Sequence, residues 1–455
     1  MSDISKTQSS AGGLPVTDSE WRETKPGHWE RKTGFMEKFY GKVHCPADGV
    51  PHWSIASVTA VEVAKADVLN IESIRNAWAA LAAIHPSITS IFSGEIQTYE
   101  ILDALSLNSW LEETFKVHRS SAGQFIPSLQ RVDRPTLHYF PDTLEFLLHC
   151  NHQYMDGRGI LRLWDQFYSL IIAPIKELPK TTIDRLPPRA DDLLSISEIL
   201  APEDGQVLND CMGQFGPPDD IKLPVRDVSA RPLHSFRRAL RLSTKTTAAV
   251  VDACKERNLS MTAAWHTAVI LATQKTLEEA GKYGKTWCSI SNFDLRPYFP
   301  AGFDSNEQVV ACYHTGLPVT VVPEESTFHE IAMRLKEFYT GGIHHMRGAL
   351  PSYAKALGDI FAQGIPPSST PVVSSLGVLD NYLRKSFGKN SIQIKDVWIA
   401  DTMRSAEVEA FLWTWDGHMV LSGSCNAAYY THKDIDRFLT RIKDILLDHL
   451  GIIDA

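Results

Sequence analysis

The residues best equipped for chemistry lie in one stretch, His149-Cys150-Asn151-His152-Gln153-Tyr154-Met155-Asp156-Gly157. Read from His152, the spacing is His-x-x-x-Asp-Gly. A histidine titrates near neutrality, so it can take a proton from a hydroxyl and return it to a leaving group. The aspartate four residues on can fix the turn by pairing with a basic side chain, or it can orient the imidazole. The glycine allows a backbone conformation, or a close approach, that a Cβ would block. Together the three describe a positioned general base. A satisfied histidine beside an ordinary turn fits the same six residues, so the rest of the chain has to decide.

The flanking pattern predicts how these residues are held. An apolar run over 144–148 enters the stretch and an amphipathic run over 159–170 leaves it, which reads as strand, tight turn and helix. Residues 136–140 and 144–148 form a hairpin around Pro141-Asp142 that delivers the chain to His152. Upstream, a strand over 58–63 precedes a helix over 71–84, where Ile74, Trp78, Leu81 and Ala82 recur at helical spacing until His85-Pro86 ends it. Residues 174–232 are rich in proline and weakly periodic, with one short helix near 195–208, and read as the connection between two domains. Beyond it come strands over 236–242, 286–291, 371–375, 392–399, 407–415 and 419–425. Ser243 and Ser260 start helices, another covers 327–339, and the last is capped by Thr431 and stopped by Gly451. Both halves therefore mix sheet and helix, an α/β fold.

Composition narrows the class. A chain of 455 residues is long for one core and favours two domains. The net charge of −9, with signs interspersed and no run of Lys and Arg, argues against a nucleic-acid partner. Seven scattered cysteines (Cys45, Cys150, Cys211, Cys254, Cys288, Cys312 and Cys425) without CxxC spacing read as reduced thiols of a cytoplasmic protein. No apolar leader or spanning segment stands out, so no membrane is expected. Residues 1–20, rich in Ser, Thr and Gly, are expected to be disordered.

Several separated segments carry a resemblance. They are His152-x-x-x-Asp156-Gly157, the helix ending in His85-Pro86, Asp294-Leu295-Arg296 after a strand, and Val372-Val373-Ser374-Ser375-Leu376-Gly377 followed by Phe411-Leu412-Trp413-Thr414, Asn426 and the final helix. In this order they resemble the HxxxDG acyltransferase superfamily, which holds chloramphenicol acetyltransferase, the plant alcohol acyltransferases (BAHD) and the condensation domains. Trp29-Glu30-Arg31 to Phe39-Tyr40 and the tail are most similar to fungal trichothecene 15-O-acetyltransferase-type enzymes. The likeness runs from about Trp21 onward. Two departures stand out: Asn151 replaces the second histidine of condensation domains, and the plant enzymes' Asp-Phe-Gly-Trp-Gly segment is absent.

The resemblance implies two chloramphenicol-acetyltransferase-like α/β sandwich domains with an active-site tunnel between them, an N-terminal one over 21–205, a crossover linker over 206–235 and a C-terminal one over 236–455. It implies that His152 deprotonates an acceptor hydroxyl, which attacks an acyl thioester directly. Asp156 points away from the tunnel and pairs with an arginine, for which Arg296 is the candidate, with Gly157 supporting the turn. Ser375, Asn426 and a backbone amide near Gly157 are the candidate oxyanion donors. The expected activity is acyl-CoA-dependent O-acyltransfer, acetyl first, to a terpenoid or polyketide-like secondary metabolite such as a mycotoxin precursor. No cofactor is bound, acyl-CoA is a cosubstrate, and the enzyme is a monomer. Two rivals stay open: a condensation-type enzyme fed by a carrier protein or forming amides or rings, and a catalytically silent binder of the same fold.

Other motifs fail on mechanism. His149, Cys150, His152 and Asp156 alternate along a strand and cannot converge on a metal, so none is expected. Gly281-Lys282-Tyr283-Gly284-Lys285-Thr286 follows a helix and precedes a strand, the reverse of a phosphate loop. His329-Glu330 has Met333 where a zinc protease needs a second histidine, and Ser375 has Val373 where a nucleophile elbow needs glycine.

Overall fold

The computed structural model describes residues 20–44, 50–178, 183–304, 307–363 and 368–454. The expected disorder over 1–20 therefore lies outside the described residues, save for Glu20. Strands β1 (Arg22–Lys25) and β2 (His28–Lys32) turn about Gly27, whose φ of 76° suits a residue without a Cβ. Helix α1 (Phe35–His44) buries Phe35, Phe39 and Tyr40. Next come β3 (Ser54–Val63) and α2 (Ile71–Ile84), whose N-cap Asn70 accepts the Ser73 N–H and whose end is set by Pro86. After β4 (Ile91–Ser93), β5 (Ile96–Glu100), α3 (Ala104–Thr114), β6 (Phe115–Val117) and the single turn α4 (Ala122–Phe125), the hairpin of β7 (Thr136–Phe140) and β8 (Glu145–Asn151) leads into α5 (Gly157–Ile172).

The connection holds the short α6 (Ala190–Leu193) and α7 (Asp204–Met212). The helix expected over 195–208 is corrected here. Ser195 sits at φ 52°, a left-handed conformation that a helix cannot continue through, and Pro202 lies just ahead of the new start at Asp204.

The second half runs β9 (Ser235–Arg241), α8 (Thr244–Glu256), α9 (Met261–Glu279), β10 (Trp287–Asp294), β11 (His314–Val321), α10 (Phe328–Gly341), α11 (Leu350–Ala362), β12 (Val372–Val378), β13 (Ser386–Phe387), β14 (Ile392–Asp401), β15 (Glu409–Trp415), β16 (His418–Asn426) and α12 (His432–Leu450). Ser243, Ser260, Thr327 and Thr431 each accept a backbone N–H two or three positions into their helix, and Gly451, at φ 69°, ends the last one.

Two six-stranded sheets form the body, β13-β14-β3-β8-β7-β6 and β11-β10-β12-β15-β16-β9, with a small sheet β1-β2-β5-β4 beside them. Strand β14, late in the chain, pairs antiparallel with β3 (Trp398 opposite Val58), so residues from the second half complete the first sheet. One core packs α2 and α5 on the first sheet through Trp78, Leu81, Phe146, Ile160 and Phe167, and it also takes in Trp413 and Trp415. A second packs α9 and α12 on the other sheet through Trp265, Val269, Leu421, Phe438 and Ile442. A third joins Phe39, Tyr40 and Trp53 to Leu295, Tyr313 and Tyr353, and so stitches the halves together. This junction carries the site. Cys150, Cys211, Cys254, Cys288, Cys312 and Cys425 are free and buried, while Cys45 lies outside the described residues. Among those residues no helix is long and apolar enough to cross a membrane.

Candidate active site

His152 stands on the turn between β8 and α5. Asn151, the last residue of β8, accepts the Gln153 N–H on Oδ1 at 3.0 Å and donates its amide to Gln153 Oε1 at 2.8 Å. Gln153 in turn donates to the Glu37 carbonyl of α1 at 2.8 Å. Asn151, where condensation domains carry histidine, is thus spent on closing the turn. Glu37 is held by a buried pair with Arg31 at 2.6 Å, which anchors α1 against the turn. One helical turn along α1, Tyr40 lays its ring on the His152 imidazole, with centroids 4.2 Å apart and planes within 2°. His314 packs beside both, its ring 4.5 Å from that of His152 and 5.5 Å from that of Tyr40, with its Nε2 2.9 Å from the Tyr40 hydroxyl.

Asp156 spends its oxygens elsewhere. It caps α5 by accepting the Gly159 N–H at 3.0 Å, accepts the Tyr313 N–H at 2.8 Å, and pairs with Arg296 at 3.0 Å. Arg296 also binds Asp294 at 2.8 Å and spreads over the Tyr313 ring, and Asp294 binds Arg158 of α5 at 2.6 Å. Of the two roles open to the aspartate, the structure builds the pairing with a basic side chain. Its hold on the base is indirect, because fixing Tyr313 N–H sets the neighbouring His314 against His152 and Tyr40. Burial alone would raise the Asp156 carboxyl, but Arg296, helped by His314 and the two amides, holds it down to about 2.

The two imidazoles are neutral. Burial keeps His152 well below the usual histidine range, His314 adds to this, and Asp156 opposes it. Burial also takes His314 down to about 4. A neutral imidazole at the edge of a cavity can accept a proton as it stands. His152, Cys312 and His314 bring donor atoms within 4.8 Å of one another, a trio that alternation along β8 could not supply. Burial pushes the Cys312 thiol far above its ordinary range, and the His314 Nε2 is engaged by Tyr40.

A cavity opens at this junction, lined by Tyr40, Trp53, His152, Asn292, Asp401 and Glu409 among others. The chain is 28% identical to the acetyltransferase pigO of Monascus ruber, over 95% of this chain and 99% of that one. Its fold superposes on the TRI3 trichothecene 15-O-acetyltransferase of Fusarium sporotrichioides with a TM-score of 0.80 at 16% identity, covering 95% and 99% of the two chains. It also superposes on the first condensation domain of the CDA synthetase, with a TM-score of 0.67 at 11% identity over 93% and 98%. The chain is an acyltransferase with the chloramphenicol-acetyltransferase-like fold. Its body is accordingly two chloramphenicol-acetyltransferase-like α/β domains. No family model matches the sequence.

The other residues singled out in the acyltransferase's sequence fall in different places. Gly157 opens α5 against Leu376 of β12, where an added Cβ would come within 2.9 Å of the leucine side chain. The tighter approach belongs to Gly159, whose Cβ would run into the Val309 carbonyl. Ser375 bonds the Thr262 hydroxyl at 2.9 Å. Asn426 donates both amide protons, to the Leu233 and Met403 carbonyls at 2.7 Å, and its oxygen accepts from Leu233 and Ala428. With every donor committed, Asn426 has nothing left to offer an oxyanion. His85 bonds Gln166 of α5, so the His85-Pro86 segment fastens α2 to the helix that follows the base. Tyr40, His314, Asn292, Asp401 and Glu409 are the site residues that sequence reasoning missed. Tyr40 ends the segment that resembles the fungal enzymes, but nothing in the spacing ties it, or Asn292, to His152.

Proposed function

We propose that this acyltransferase moves an acyl group, acetyl first, from coenzyme A to a hydroxyl of a terpenoid or polyketide-like secondary metabolite, with His152 as general base. The observation that carries the reading is the His152 imidazole, stacked flat on Tyr40 and backed by His314, at the wall of a cavity between the two halves. The acceptor hydroxyl gives its proton to His152 while its oxygen bonds to the thioester carbonyl carbon. The tetrahedral oxyanion collapses, the C–S bond breaks, and His152 returns the proton to the departing sulfur. No acyl-enzyme is needed. Asn292, on β10 and facing the cavity, is the side-chain amide best placed to bind the oxyanion, in place of Ser375 and Asn426. Asp156, Arg296 and Gly157 act on the turn and on His314, and carry no proton themselves. The likeness to pigO and TRI3, both acetyltransferases, supports acetyl as the group transferred.

The test is thiol release from acetyl-, propionyl- and butyryl-CoA with hydroxylated terpenoids and polyketides as acceptors, with the ester identified by mass. Acceptor-dependent thiol release is expected, and it falls about a hundredfold in Asn292→Ala if that amide binds the oxyanion. Binding of an acceptor without turnover of any thioester would remove the reading.

A further inference from the structure

Two carboxylates meet where they have no obvious business. Asp401 ends β14 in the first sheet and Glu409 opens β15 in the second, and both line the cavity that holds His152. Asp401 is 8% exposed and Glu409 3%. Oδ1 of Asp401 is buried with no hydrogen-bond partner. Among the described residues no cationic side chain acts on either carboxyl, while Glu407 adds a third acid behind Glu409. Burial pushes Asp401 up to about 7, and burial together with Asp401 and Glu407 pushes Glu409 well above the carboxylate range, with Trp53 opposing. An unpaired buried charge is costly unless something completes it.

The walls around the pair are aromatic. Phe39, Tyr40 and Trp53 line the same cavity, with ring centroids 5.1 Å apart for Phe39 and Tyr40 and 5.8 Å for Phe39 and Trp53. Trp53 is held at φ 51°, a conformation a bulky residue rarely takes, by its N–H to the Thr402 carbonyl at 2.7 Å. Both carboxyls act on the Tyr40 phenol, the same ring that lies on His152, so the acid pair and the base share one chamber. Carboxylates without a cation, set among aromatic faces, describe a site for an organic ammonium.

We propose that Asp401 and Glu409, with the Tyr40 and Trp53 rings that line the same cavity, form an acceptor subsite for a basic nitrogen, so that the acceptor is an amino alcohol. This rests on the O-acyltransferase reading of His152 and names its substrate class. Held as an ammonium, the nitrogen has no lone pair for the thioester, so transfer is confined to the hydroxyl that reaches His152. A bound ammonium favours the ionised carboxyls, and any protons they release pass to solvent.

The experiment compares N-methyl-4-hydroxypiperidine with 4-methylcyclohexanol, which has the same shape without the basic nitrogen. Binding is read by calorimetry and transfer from acetyl-CoA by thiol release. The wild-type chain is expected to bind the amine about tenfold tighter than the carbocycle, and Glu409→Gln and Asp401→Asn each to abolish that preference, chiefly through KM. Both substitutions keep the side-chain shape and remove buried charge, so either protein serves if the other fails to fold. Equal binding of the two alcohols by the wild type, or a preference that survives both substitutions, would overturn the subsite. Transfer to both alcohols alike sinks the subsite and leaves the acyltransfer reading standing. Amine-selective binding that depends on Glu409, without transfer to any alcohol, does the reverse.

Discussion

Tyr40 lies flat on His152, 4.2 Å between ring centroids and 2° from parallel, and its hydroxyl is 2.9 Å from Nε2 of His314. One tyrosine thus fixes the plane of the base and ties it to the second imidazole. Tyr40→Phe keeps the stack and loses one hydrogen bond, so kcat is expected to fall about fivefold. Tyr40→Ala frees the imidazole to turn and is expected to cost about a hundredfold in kcat, along with about 3–5 kcal/mol of stability for the buried ring it removes. Steady-state kinetics and thermal unfolding of both proteins check this. Equal losses in the two would show that the stack does nothing for the base.

Arg296 neutralises Asp156 in a buried setting, so Arg296→Ala leaves that carboxylate charged, with two backbone N–H donors and no arginine partner. A loss of about 3–5 kcal/mol is expected from chemical denaturation. Asp156→Asn is expected to cost less, because the amide still caps α5 and no bare charge remains. Catalysis in Asp156→Asn should fall through a displaced His314 while a measurable rate persists. If Asp156→Asn instead removed turnover as completely as loss of His152, Asp156 would be a proton carrier and its placement here misread.

The two glycines of the turn are not equivalent. Gly159→Ala would drive a Cβ into the Val309 carbonyl and is expected to destabilise by about 2 kcal/mol or more. Gly157→Ala meets only the end of the Leu376 side chain, which can rotate, so a smaller loss is expected although Gly157 is the motif residue. Melting temperatures of the two variants, in either order, decide it.

Much of this frame could be read from local signals. Helix α2 and its stop at Pro86, the caps at Ser243, Ser260, Thr327 and Thr431, and the final αL glycine each depend on a few adjacent residues. The elements that were missed break local rules for tertiary reasons. Strand β11 carries Pro318, which only an edge strand tolerates, and β11 is the edge of its sheet. Helix α11 carries Gly358, which meets Phe39 and Lys42 of α1 closely enough that a side chain would crowd them. Strand β14 was legible as a strand, but its partner β3 lies at the other end of the chain, so its sheet was not. The same holds for the site. His152, Asp156 and Gly157 are contiguous and carry a spacing, whereas Tyr40, His314, Asp401 and Glu409 reach the cavity from four elements and share no pattern.

Stability should respond to pH from both sides. Asp156 titrates in the folded chain at about 2, below its ordinary 3.8, so its stabilisation is present at neutral pH and is lost as pH falls through that interval. Asp401 and Glu407 are raised to about 7, so the folded chain favours their protonated forms and loses stability as pH climbs from the ordinary carboxylate range to 7. Unfolding temperature is therefore expected to drop from pH 5 to pH 8, and Glu407→Gln should flatten that slope. An unchanged slope in Glu407→Gln would remove the buried acid as its source.

The central claim is that His152 takes the acceptor proton while the thioester is attacked directly. Thiol release from acetyl-CoA, measured with and without a hydroxylated acceptor in wild type and His152→Ala, addresses it in one experiment, with intact-protein mass recorded alongside. Release that needs the acceptor, falls about a thousandfold in His152→Ala, and leaves the protein mass unchanged is the expected result. A variant that keeps the wild-type rate, or a wild-type chain that gains an acetyl group when no acceptor is present, would contradict the account.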